Sequence, residues 1–183
     1  MRLLNIVTVV GSKKGGKTTV VCKLVEQLKA SGFKIATVKF MERSPGIDIN
    51  DKETYLHRKA GADITIASGL SETAVLRKVE QRESLLQLLD YIPEDVDYVI
   101  CEGVDDGNIP RIVAVRERSE IEDYVNRMTI AISGIVAGES FTHKLPVVDV
   151  TKDPESLARI VRSENLSLRT THPNESVKSD RGA

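Results

Sequence analysis

The hydrophobic pattern of the first 40 residues predicts a strand, a helix and a second strand. Residues 3–10 are apolar and rich in β-branched side chains, which is typical of a strand buried on both faces. Apolar residues then recur at the spacing of one helix face: Val21, Leu24, Val25 and Leu28. Gly32 stands where a C-terminal helix cap belongs, and residues 33–40 read as the second strand.

Short apolar runs and helical patterns continue to alternate along the chain. Further strands are predicted at 64–67, 73–79, 98–101, 112–115, 129–132 and 147–150. Further helices are predicted after a capping box formed by Asn50 and Glu53, over 84–91, and over 154–162 behind an Asp153 N-cap. This alternation predicts an α/β fold, a mostly parallel twisted sheet with helices on both faces.

Composition adds limits to this picture. The chain has 183 residues, with 26 lysines and arginines against 27 aspartates and glutamates. The resulting net charge of −1 gives no electrostatic footprint for nucleic acid or for an anionic membrane. Two cysteines are too few for a disulfide framework or a zinc cluster. No apolar stretch reaches the length of a membrane span, so we expect a cytoplasmic protein.

One motif carries specific chemistry. Residues 11–18, GSKKGGKT, fit the phosphate-binding loop pattern G-x-x-x-x-G-K-[ST], and they follow a predicted strand and open a predicted helix as that loop requires. The backbone N–H groups of such a loop point at phosphate oxygens, its lysine reaches the β- and γ-phosphates, and its hydroxyl is a Mg²⁺ ligand. The predicted nucleotide-binding residues are Gly11, Ser12, Lys13, Lys14, Gly15, Gly16, Lys17, Thr18 and Thr19.

A triphosphate site also needs an acid at the end of a neighbouring strand to hold the metal. Glu102 directly follows the apolar run 98–101, so we predict it as a catalytic residue and, together with Thr18, as a metal ligand. Lys39, at the end of the second strand, is a further candidate for phosphate contact, with an ordinary strand-end lysine as the alternative. Asp48, in the following loop, is a candidate to position the attacking water, with turn chemistry as the alternative.

Other acids and histidines have simpler interpretations. Glu53 fits a capping box better than a metal site, and His57 fits a helix surface better than a catalytic base. Asp105 and Asp106 are expected at a charged loop tip. We therefore predict one nucleotide-binding domain over residues 1–165, followed by a polar, disordered tail over 166–183.

These segments together resemble the MobB family, the molybdopterin-guanine dinucleotide biosynthesis protein B. The resemblance runs through the phosphate loop, IATVK at 35–39, HRKAGA at 57–62, YVICEG at 98–103 and PRIV at 110–113. It implies a P-loop NTPase fold that binds GTP and Mg²⁺, hydrolyses GTP weakly and forms a homodimer. It also implies a molybdopterin nucleotidyltransferase (MobA-like) as partner, which attaches GMP to molybdopterin, and contact with molybdopterin itself.

Two other functions remain open at this point. The chain could be a nucleotide-binding adaptor without catalysis, or a small-molecule kinase on the same fold. A kinase usually carries mobile arginine-bearing lids, and the predicted loop over 41–51 holds only Arg43. The segment Thr151–Asp153 begins like a guanine-reading motif, but Pro154 stands where the base-reading aspartate belongs.

Overall fold

The structure, a computed structural model, describes residues 2–41, 53–164 and 166–170. These residues divide into two compact units, one comprising Met1–Phe40 with Leu85–Ala183 and the other Met41–Ser84. Among the described residues, no helix has the length and apolar character needed to cross a membrane.

The larger unit is built on a sheet whose strands are β1 (Arg2–Val10), β2 (Ile35–Lys39), β5 (Tyr98–Glu102), β6 (Arg111–Ala114), β7 (Thr129–Ser133) and β8 (Ser167–Thr170). The order β2-β5-β1-β6-β7 is parallel throughout, and β8 pairs antiparallel with β1. Because the five parallel strands run in one direction, their carboxyl ends meet at one edge, where open α/β sheets bind ligands.

Helices cover both faces of this sheet, as predicted. Along β1 the side chains alternate, so that Val7 and Val9 face one core and Leu4 and Ile6 face the other. The first core is closed by α1 (Lys17–Ala30) and α5 (Pro154–Ser163), and the second by α3 (Leu85–Leu89). The predicted mostly parallel α/β architecture is therefore confirmed.

The helix ends follow their local sequence. After α1, Gly32 adopts φ 87°, and the N–H groups of Gly32 and Phe33 donate to the carbonyls of Lys29 and Leu28 at 3.0 and 3.2 Å. These two hydrogen bonds are the pattern typical of a helix that ends at a glycine. At α5, the Asp153 carboxylate accepts from the Ser156 N–H at 3.1 Å and Pro154 occupies the first turn, as predicted.

The smaller unit contains α2 (Glu53–Lys59) and a hairpin of β3 (Ile64–Ser68) and β4 (Thr73–Arg77). The predicted elements are therefore present, but β3 and β4 form an antiparallel sheet of their own rather than part of the parallel one. Glu53 and His57 are exposed on α2. This position agrees with the prediction that His57 is a helix-surface residue. The predicted cap at Asn50 lies outside the described residues.

Two predictions near the end of the chain differ from the structure. The predicted strand over 147–150 makes only a single parallel bridge, between Val147 and Ile132. The polar tail was expected from residue 166, yet β8 lies within it and Leu166 is buried. The residues beyond 170 lie outside the described part of the chain.

The short α4 (Ile121–Tyr124) was not predicted.

Candidate functional site

The phosphate loop joins β1 to α1 at the carboxyl edge of the sheet. Its backbone is tightly turned: Gly11 and Gly16 have φ of 138° and 94°, and Lys14 has φ 62°, which is uncommon for a residue with a side chain. The Gly15 N–H closes a turn on the Ser12 carbonyl at 3.1 Å. Turns of this kind aim successive N–H groups into a concave, anion-binding surface.

Gly11 is required by close packing as well as by its backbone conformation. A Cβ atom at this position would lie 1.9 Å from the carbonyl oxygen of Ala114, the last residue of β6. No side chain fits in that space without moving backbone. The loop is thus seated directly against the end of the neighbouring strand.

The side chain of Lys17 reaches back across the phosphate loop to its first residues. Its Nζ donates to the carbonyl of Gly11 at 3.0 Å and to that of Ser12 at 2.6 Å. The helix that begins at Lys17 has Gly16 as its N-cap, so no side chain accepts from its first N–H groups. These groups and the positive end of the helix dipole therefore face the loop, which is the arrangement that binds phosphate.

A cavity of about 410 Å³ opens between this loop, the end of β5 and Ile135 in the segment after β7. Its lining residues are Lys13, Lys14, Gly15, Gly16, Lys17, Thr18, Thr19, Glu102 and Ile135. The structure thus brings Glu102 together with most of the predicted phosphate loop. Three lysines against one glutamate make the lining net positive, as an anionic ligand requires.

Glu102 is held by two predicted site residues. Its Oε1 accepts from the Thr18 hydroxyl at 2.9 Å, and the Lys39 ammonium lies 3.1 Å from the same oxygen. The Glu102 side chain is only 12% exposed, whereas that of Lys39 is 55% exposed. Asp48, the predicted water-positioning acid, lies outside the described residues and stays a prediction.

Sequence reasoning missed two contacts that brace the loop. The Ile135 N–H donates to the Gly15 carbonyl at 3.1 Å, and a Cβ on Gly134 (φ 83°) would lie 2.2 Å from that carbonyl oxygen. On the other side, the Ser12 hydroxyl donates to Glu120 at 2.9 Å. Each segment carries a local signal: Gly134 lies two residues after the predicted strand 129–132, and Glu117 and Glu120 have the spacing of a capping box, which the structure shows. Neither signal specifies the contact with the phosphate loop.

The acidity of Glu120 reflects its partners. The backbone N–H of Glu117, the Ser12 hydroxyl and the N–H of Arg116 all donate to its carboxylate and hold its pKa below the usual range. Glu120 is therefore an ionised acceptor at neutral pH. Its role in the structure is to connect the phosphate loop to the segment after β6.

The remaining charged candidates have structural partners. Asp105 pairs with the buried Arg111 at 2.6 Å, and the Asp106 carboxylate accepts from the Asn108 N–H at 3.1 Å. Burial raises the pKa of the Cys101 thiol to about 12, so this cysteine is protonated and packs as a small hydrophobe. No group of three or more His, Cys, Asp or Glu that could hold a metal occurs in the described ranges.

Comparison with known proteins identifies the family. The family model described as "Molybdopterin guanine dinucleotide synthesis protein B", MobB, matches residues 6–137, well over half of the chain. The chain belongs to the MobB family. The predicted resemblance is therefore confirmed.

Individual relatives agree with this assignment. The chain is 31% identical over 128 residues to the molybdopterin-guanine dinucleotide biosynthesis adapter protein of Escherichia coli, a match covering 66% of this chain and 73% of that one. It is 33% identical over 120 residues to a relative from Methanocaldococcus jannaschii, a match covering 63% of this chain. The chain spans about half, 49%, of the length of that archaeal relative.

Solved MobB structures share the fold. The crystal structure of Bacillus subtilis MobB has a TM-score of 0.68 at 23% identity, covering 88% of this chain and all of that one. The MobB homologue from Bacillus stearothermophilus has a TM-score of 0.66, also at 23% identity and with the same coverage. The MobB fold is thus present over most of this chain.

Proposed function

We propose that the protein binds GTP with Mg²⁺ at the phosphate loop, hydrolyses it slowly, and assists the attachment of GMP to molybdopterin. The observation that carries the nucleotide part is the convergence of Lys17, Thr18 and Glu102 in one net positive cavity at the carboxyl edge of the sheet. The family and the adapter description of the Escherichia coli relative support the pathway part.

The oxygen atoms at this site suit Mg²⁺. Mg²⁺ is held in nucleotide sites by one or two protein oxygens, with phosphate oxygens and waters completing an octahedron. The Thr18 hydroxyl and the Glu102 carboxylate supply such a pair, 2.9 Å apart. The metal would supply positive charge against the negative charge that develops in phosphoryl transfer. Thr18 and Glu102 would hold it, while Lys17 and the N–H groups of the loop would hold the phosphates.

The lining of the cavity supports slow hydrolysis. Fast GTP hydrolysis uses a glutamine to orient water and an arginine to absorb transition-state charge. Neither residue type lines the cavity within the described part of the chain. Intrinsic rates without an arginine finger are on the order of 10⁻⁴ to 10⁻³ s⁻¹, and we expect the isolated chain in this range. Asp48 remains the candidate to position water.

The adapter description favours one further candidate, a nucleotide-binding adaptor that holds its partner without turnover. Phosphate release from GTP without an added acceptor supports the GTPase, whereas tight binding without release supports the adaptor. The partner proposed in both cases is a molybdopterin nucleotidyltransferase. Co-purification of that enzyme with this chain from a producing cell tests this part of the proposal.

Guanine is the proposed base, and GTP should displace a labelled guanine nucleotide at lower concentration than ATP. The family description and the resemblance support this preference. Asp153 gives this preference no support, because its carboxylate accepts from the N–H and the hydroxyl of Ser156 as a helix cap. Competition of unlabelled GTP and ATP for the labelled nucleotide measures the preference, and equal displacement would remove it.

The proposed homodimer is supported by the hairpin of the smaller unit. On one face of this hairpin Ile64, Ile66 and Val75 are 54%, 64% and 62% exposed, while Thr65 on the other face is 6% exposed. Two-stranded sheets are marginal alone, and exposed β-branched stripes mark association surfaces. We propose that a second copy of this chain covers the stripe.

Replacing Ile66 with arginine should therefore dissociate the dimer. A charge on each of two facing stripes is costly because it must be desolvated beside its like-charged equivalent. Light scattering after size-exclusion chromatography measures the change, with Ser71→Arg as the matched control, since Ser71 is exposed in the turn of the same hairpin. A wild-type chain that is monomeric at micromolar concentration would contradict the proposed dimer.

A further inference from the structure

The ion pair between Lys39 and Glu102 occupies the oxygen that the proposed metal would use. Glu102 Oε1 lies 3.1 Å from the Lys39 ammonium and 2.9 Å from the Thr18 hydroxyl. Two donors, one of them a full positive charge, therefore converge on a single carboxylate oxygen. A divalent cation bound to Thr18 and to this oxygen would compete with the ammonium for it.

The backbone fixes this pairing. Lys39 and Glu102 are the last residues of β2 and β5, and they are direct partners in the parallel register of these strands. The Phe40 N–H also donates to the Glu102 carbonyl at 2.9 Å, so the register continues past the strand ends. The register therefore places the backbones of the lysine and the glutamate side by side at this edge of the sheet.

We infer that Lys39 is an internal competitor of Mg²⁺ for Glu102, which makes metal binding depend on the bound nucleotide. This inference rests on the proposed nucleotide function. Without phosphate oxygens, Thr18 and Glu102 alone are too few ligands to outcompete a tethered ammonium. With a triphosphate in the loop, the phosphate oxygens add ligands and charge, and Mg²⁺ displaces Lys39.

This role differs measurably from the phosphate contact predicted for Lys39 from the sequence. A lysine that binds phosphate strengthens nucleotide binding in the absence of metal, so its removal weakens that binding. A lysine that competes for Glu102 leaves metal-free nucleotide binding unchanged, and its removal strengthens Mg²⁺ binding. The two roles therefore predict opposite results from the same variant.

The test is calorimetric titration of Lys39→Met and Lys39→Gln, with Lys39→Arg as the charge-retaining control. Mg²⁺ is titrated into each protein saturated with a non-hydrolysable GTP analogue, and the analogue is titrated separately in chelator. Partly exposed ion pairs shift equilibria by up to about fivefold, so we expect Mg²⁺ to bind about two- to fivefold more tightly to the Met and Gln variants. The Arg variant should bind Mg²⁺ as the wild type does.

A double variant ties the effect to Glu102. In the Glu102→Gln background, Lys39→Met should no longer change Mg²⁺ affinity, because the shared carboxylate is gone. Unchanged or weaker Mg²⁺ binding in Lys39→Met, or weaker binding of the analogue in chelator, overturns the inference. Failure of the wild type to bind the analogue at all overturns the proposed function instead, so the two failures are distinct.

Discussion

Replacing Lys17 with alanine should lower the affinity for a non-hydrolysable GTP analogue about ten- to a hundredfold. The Lys17 ammonium spans the phosphate loop, donating to the carbonyls of Gly11 and Ser12 at 3.0 and 2.6 Å. From that position it would contact phosphate oxygens of a nucleotide bound in the loop as proposed. A charge-assisted hydrogen bond of this kind contributes about 1.5–3 kcal/mol, which corresponds to this change in affinity.

Calorimetric titration with the analogue in the presence of Mg²⁺ measures this effect. Lys23→Ala is the matched control, since Lys23 lies on the same helix and pairs with Glu26 away from the cavity. Circular dichroism establishes that both variants are folded. Undiminished affinity in folded Lys17→Ala would remove the nucleotide from this loop.

The second large effect is expected in turnover. Glu102→Gln should slow Mg²⁺-dependent phosphate release about ten- to a hundredfold, with a much smaller change in nucleotide affinity. Glutamine keeps the shape and an acceptor oxygen for the Thr18 hydroxyl but removes the charge that would hold the proposed metal. Single-turnover phosphate release from GTP, with Mg²⁺ and with chelator, separates the two effects.

Glu94→Gln makes the same chemical change at an exposed position outside the cavity, so it should release phosphate at the wild-type rate. If Glu102→Gln keeps full activity, Glu102 does not belong to the site. Turnover far faster than about 10⁻³ s⁻¹ by the isolated wild-type chain would refute the proposed slow hydrolysis.

Where the sequence predicted the structure well, local signals agreed with one another. The strand, the glycine-rich loop and the helix at residues 2–30 combine a buried apolar run, a loop motif and a periodic helix face. Glu102 was found because an acid that ends a buried parallel strand lies at the ligand-binding edge of an α/β sheet. Its contact with Thr18 follows from the adjacent register of β1 and β5.

The features that were missed depend on contacts between distant parts of the chain. Glu120 meets Ser12 across 108 residues, and no pattern in either segment specifies that pairing. The segment Val147–Val150 has the composition of a strand, but its register against β7 allows a single bridge. β8 forms because β1 offers a free edge at its amino end, which a short polar segment can pair with. The pairing of β3 and β4 in a sheet of their own likewise depends on tertiary structure and not on local sequence.

Titration of the wild-type chain with a non-hydrolysable GTP analogue, in Mg²⁺ and then in chelator, tests the central claim most directly. The positive cavity at the phosphate loop and the Thr18–Glu102 oxygen pair predict one saturable site per chain that binds more tightly with Mg²⁺. Absence of saturable binding in both conditions would contradict the account. So would equal affinity with and without Mg²⁺, because Thr18 and Glu102 would then hold no metal.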